Sequence, residues 1–208
     1  MIILATIVQS CVYAIPAAIA LAARGTLASR ARRQFKIAVK TPTSLQSEKA
    51  AADFLRANKI DDVPVEKGDE YLVNAFDKKR NSVRLSPDAY GCVDAYSVAR
   101  ALSAGAEALA YRDAPEKLAA LAKLDAAATW FFWGAFCALA FAIMGASLSS
   151  ACVGYAALLV VWFNASARAR FMKKSLKPVE EYLRNSGAFA SDEIEAVLKT
   201  LAAIRVNP

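Results

Sequence analysis

Catalysis needs bases, nucleophiles or metal ligands, and this chain is short of all three. It has no histidine, which removes the commonest metal ligand and general base and every Ser-His or Cys-His pair. The cysteines, Cys11, Cys92, Cys137 and Cys152, form no CxxC pair, and three of them lie in apolar runs. They read as small buried side chains with no disulfide framework. Glycine is scarce and no GxxxxGK occurs, so there is no phosphate-cradling loop. Glu180-Glu181 reads as a helix surface rather than an acid/base dyad. Asp94 and Glu107 read as solvated helix charges. Trp130, Phe131, Phe132 and Trp133 read as an aromatic belt at a membrane boundary rather than a stacking platform. No cofactor and no metal are expected. The net charge of +7 is not gathered on one recognisable helix and no DNA- or RNA-binding motif is present, so nucleic acid is not expected as a partner.

The elements that would position any site are organised around Ala126–Ala167, which carries no charged side chain. As helix it would reach ~63 Å, twice the ~30 Å of a bilayer core. The turn Gly145-Ala146-Ser147-Leu148-Ser149-Ser150 divides it into two helices, about Thr129–Met144 and Ala151–Phe163. A hairpin buried in a soluble domain is the rival reading, but the remaining chain is too small to cover it. Met1–Ala23 is also uncharged and about one crossing long, with Pro16 placed to kink it. Its positive charge follows the apolar run, unlike a secretory signal peptide. Arg24, Arg30, Arg32, Arg33, Lys36 and Lys40 come before the first acid, Glu48, and Arg168, Arg170, Lys173 and Lys174 follow the hairpin. By the positive-inside rule both basic clusters face the cytoplasm or matrix. The expected organisation is a transmembrane helix over 1–23, a soluble region over 24–125, a transmembrane hairpin over 126–167, and C-terminal helices over 168–208 that pack on the soluble region.

Within the polar regions, Ser44–Asn58 reads as a short amphipathic helix capped by Ser47 or Ser44, with Ala50, Ala51, Phe54 and Leu55 on one face. Tyr71–Phe76 and Ser82–Leu85 read as strands of a hairpin around Asp77–Asn81. Pro87-Asp88 opens a long alanine-rich helix to Tyr111. Pro115–Ala127 leads into the membrane, and Ala169–Asn185 leads away from it. Gly187 marks a stop, and Ser191 caps the last helix, whose early acids suit its positive end. The fold class is α+β, mostly helical, with three transmembrane helices and a small soluble part containing a short β-hairpin.

The order of these pieces resembles the bacterial neutral zinc metallopeptidase family over about 30–208. The matching residues are Ser47–Asn58, Phe76-Asp77 with Ser82-Val83-Arg84-Leu85-Ser86, Asp88-Ala89-Tyr90-Gly91, Phe163-Asn164-Ala165-Ser166, and Gly187 followed by Ser191-Asp192-Glu193-Ile194. The resemblance implies a zincin-like soluble part whose long helix carries HExGH, with two histidines on zinc and the glutamate activating water. Aligned on Gly91 and Gly105, Leu102 stands at the first histidine, Ser103 at the glutamate and Ala106 at the second histidine. Trp162 stands at the third ligand.

Every position that the resemblance assigns to chemistry has therefore lost it. The chain reads as a pseudoenzyme without a catalytic, cofactor or metal site, Leu102, Ser103, Ala106 and Trp162 being vestigial. Trp162 is expected to pack on Leu102 and Ala106 and seal the old cleft. The expected role is an accessory subunit or scaffold of a larger membrane complex, in a bacterial or mitochondrial inner membrane. Its partners would be lipids and other membrane subunits. The alternative is a regulatory module that binds peptide or lipid in the old cleft without cleavage, with Ser82–Leu85 adding an extended peptide at its edge.

Overall fold

The computed structural model describes residues 22, 25–70, 74–145 and 148–206. The expected first crossing, 1–23, lies almost wholly outside the described residues. The chain divides into two compact units, one from 1–27 and 116–170, the other from 28–115 and 171–208. The described residues are mostly helical with one small three-stranded sheet.

The second unit is built around a helix that nearly everything else in it touches. It begins with a helix over 25–38 (α1), then α2, Ser47–Ala57, whose buried stripe is Ser47, Ala50, Ala51, Phe54 and Leu55. Neither candidate serine caps α2. Gln46 is its N-cap without a side-chain bond, and the Ser47 hydroxyl instead donates to the Ala89 carbonyl. At the other end, the Asn58 amide donates to Phe54 O at 2.8 Å. Lys59 adopts φ +60° and Ile60 N–H bonds back to Leu55 O at 2.9 Å. This left-handed exit satisfies the last carbonyls of the helix.

Three short strands follow: β1, Val65–Lys67; β2, Ala75–Asp77; and β3, Ser82–Leu85. The β2–β3 hairpin has the expected turn. Asp77 Oδ1 accepts from the backbone N–H groups of Lys79 and Arg80 at 2.9 and 3.3 Å, as turn aspartates do. The sequence gives no hint of β1, which pairs parallel to β3 with Val65 opposite Val83. The sheet order is β1-β3-β2. With both sides of β3 paired, it has no free edge for an added peptide strand, and that part of the alternative reading is corrected.

α3 spans Ala95–Asp113, with Asp94 as N-cap accepting from Ser97 N–H. The helix thus starts seven residues later than Asp88, the start read from the sequence. Residues 86–92 are occupied by a tight turn in which Ala89 and Tyr90 N–H both bond to Ser86 O. Gly91 then takes φ +79°, which directs the chain away from a helix. α2, α6 (Lys177–Asn185), α7 (Ser191–Val206) and strands β2 and β3 all pack on α3. Its alanines let these neighbours come close.

The first unit holds two long helices, α4, Pro115–Gly145, and most of α5, Leu148–Ser175. Both run unbroken through the points where separate segments were expected, near Ala127 and Ala167, because no glycine or proline interrupts them there. Each is long and apolar enough to cross a membrane, and only 17% and 11% of their most apolar windows are buried. Ala135, Leu139 and Ala142 on α4 and Ala151 on α5 are buried. A Cβ added to Gly154 would stand 2.7 Å from Leu139 Cγ and 3.3 Å from Ala135 O. The two helices therefore meet along a seam of small residues, the usual device of close helix pairs in lipid.

Candidate functional site

The positions of interest sit on the middle of α3. Leu102 and Ala106, one turn apart on one face, are 0% and 1% exposed. They belong to one continuous core with Phe54 and Leu55 of α2, Val83 and Leu85 of β3, and Val197 and Leu201 of α7. Ser103 is half-buried. Gly105 lies under α2, where an added Cβ would stand 3.0 Å from Phe54 Cδ1. A ring on a missing side chain is what allows α2 and α3 to approach so closely.

The turn preceding α3 is held from α2. Glu48 Oε2 accepts from Gly91 N–H at 2.9 Å, beside the Ser47–Ala89 bond. Asp94, weighed above as a solvated charge, has a local task as the N-cap. Glu193 near the start of α7 is shared in the same way. Its Oε1 accepts from the Ser44 hydroxyl at 2.7 Å, and its Oε2 from Ala190 N–H at 3.1 Å. This half of a capping box is made by the acid, and the expected cap, Ser191, is instead the first residue of the helix.

Over residues 10–204 the chain matches the family model described as "Putative neutral zinc metallopeptidase". It belongs to that family. No curated protein and no solved structure matches it.

A neutral zinc metallopeptidase needs about three nitrogen, oxygen or sulfur ligands converging on the metal. At the positions assigned to them, α3 presents a leucine and an alanine inside a closed apolar core. Among the described residues, no three Cys, Asp or Glu side chains gather where they could hold an ion. Leu102 and Ala106, at the positions that the resemblance assigns to ligands, carry no atom that fits zinc. Trp162, 66% exposed, belongs to the first unit, and Leu102 and Ala106 to the second. Leu102 is covered by its own unit's core.

A polar cluster in the long helices was not picked out from the sequence. Asp125, the last charge before the uncharged run, accepts from Asn164 Nδ2 at 3.0 Å and Arg168 Nη1 at 2.8 Å. Asn164 Oδ1 is buried without a hydrogen-bond partner among the described residues. Trp130, Trp133, Trp162 and Phe163, all more than half exposed, lie within one or two turns of this clamp along the helices. The residues Phe163–Ser166 that carry part of the family resemblance thus have a visible structural use through Asn164.

Proposed function

We propose that this protein is a non-catalytic, membrane-embedded relative of the neutral zinc metallopeptidases, kept as an accessory subunit or scaffold of a larger membrane complex. The observation that carries the reading is the burial of Leu102 and Ala106 in a closed core at the family's ligand positions. A fold retained without site chemistry acts through its surfaces. Membrane embedding is supported by the exposed apolar length of α4 and α5. From the Asp125–Arg168 clamp to the helix ends, residues 126–145 and 148–167 each span ~30 Å, the thickness of a bilayer core. The exposed aromatics near the clamp suit the head-group level. With a crossing over 1–23, three spans place the N-terminus outside and both polar regions on the cytoplasmic or matrix side.

Purification in mild detergent tests both parts of the proposal. Elemental analysis should find no stoichiometric zinc, and partner subunits should co-purify in constant ratio. One tightly bound zinc per chain with peptide cleavage would overturn the non-catalytic reading. A chain that runs alone under every gentle extraction would overturn the scaffold reading.

A further inference from the structure

We propose that the outward face of α1 docks on anionic phospholipid head groups, holding the second unit against the leaflet from which it emerges. The inference rests on the membrane reading above and gives it a lipid class. α1 packs inward through Ala31 and Ala38, which are buried, and Phe35, at the i, i+4, i+7 spacing of one helix face. The Phe35 ring meets Tyr96 of α3 edge-on at 5.3 Å. Arg30, Arg33 and Lys36 project from the opposite side, Arg32 from its flank, and Lys40 follows in the turn; all five are exposed. None of them enters an ion pair among the described residues, and no acid occurs in the sequence between Arg24 and Glu48.

Beside these cations, Ile37 is 59% and Val39 is 55% exposed. A cationic face with exposed aliphatic side chains matches a surface that is anionic at its head groups and apolar just beneath. The location agrees: in the sequence Arg30 follows closely on the end of the uncharged run at Ala23. Nucleic acid or an acidic protein would match the charge but leave Ile37 and Val39 unused.

The test uses the full chain in nanodiscs of phosphatidylcholine, alone or mixed with phosphatidylglycerol. An environment-sensitive fluorophore is attached at Ile37→Cys after the native cysteines are replaced by serine, with a control probe at Ser191→Cys. In the mixed discs the Ile37 probe should shift to the blue and be quenched by head-group spin labels. Salt at ~1 M, where the screening length falls to ~3 Å, should reverse this, and each cation changed to Gln should weaken it about fivefold. The control probe should not respond. Equal signals in neutral and anionic discs, or a signal indifferent to salt and to the five substitutions, would overturn the proposal. So would tight, lipid-independent binding of single-stranded RNA abolished by the same substitutions. A chain that enters neither kind of disc would fail the membrane reading itself, an outcome distinct from the others.

Discussion

Single residues explain why the family's site face is closed here. Gly105 stands between the two positions that the family resemblance assigns to histidines, and its lack of a side chain is used by Phe54, a fully buried ring. Gly105→Ala should cost about 1–3 kcal/mol as an overpacking substitution, read as a lower thermal midpoint by circular dichroism. Trp162→Ala should change stability by no more than about 0.5 kcal/mol in detergent, as exposed positions do; a larger loss would mean that the indole packs against another part of the protein. Two carboxylates give a pH signature. Backbone N–H groups, at Asp62 its own and at Asp77 that of Lys79, hold both below their ordinary 3.8 despite some desolvation, with help from Arg112 and Asn81 at Asp62 and from Arg80 and Arg84 at Asp77. A depressed folded-state value means that the unfolded chain binds the proton more readily. The stabilisation is therefore present above about 3.8 and lost as pH falls through the lower folded values. The thermal midpoint of Asp62→Asn should accordingly fall less steeply than the parent's on acidification below about pH 4.

At the scale of elements, what was legible in the sequence was what local pattern encodes. The apolar stripe Ala50-Ala51-Phe54-Leu55, the β2–β3 turn at Asp77 and the start of α7 at Ser191 all depend on neighbours in sequence, and all were readable. β1 was not, because a three-residue strand pairing in parallel with Val83 has no local signature. The start of α3 was misplaced because Pro87-Asp88 has the chemistry of a helix start, while the cap that wins is Asp94, selected by the turn at Gly91. Leu102 and Ala106 were singled out by the family resemblance, but the closure of the core over them was not legible, since it depends on α2 and α7 arriving from distant parts of the chain. The Asp125 clamp was hidden for the same reason. A double-mutant cycle of Asp125→Asn and Arg168→Gln, read by denaturation in mixed micelles, should give a coupling of about 1 kcal/mol for this half-exposed pair. Coupling indistinguishable from zero would leave the pair without a role in joining α4 to α5.

For the whole molecule, the proposed three crossings would fix which segments share a side. Cysteines introduced at Ser191 and Ser149 should react with an impermeant reagent from opposite faces of sealed vesicles, and reaction of both from one face would rule out the proposed topology. The second unit also has a feature with a consequence in time. Its core is assembled from residues 28–115 and 171–208, with the long helices between them, and Val197, Leu201 and Ile204 of α7 complete it. A ribosome delivers these pieces in order. Until residues 171–208 have emerged, the flank of α3 that α7 will cover stays bare, so the domain cannot close while α4 and α5 are being made. A nascent chain stalled soon after Arg170 should therefore be open to protease and attractive to chaperones, and become resistant only when the last helix is released. Maturation of the polar unit would thus be timed by completion of the apolar one.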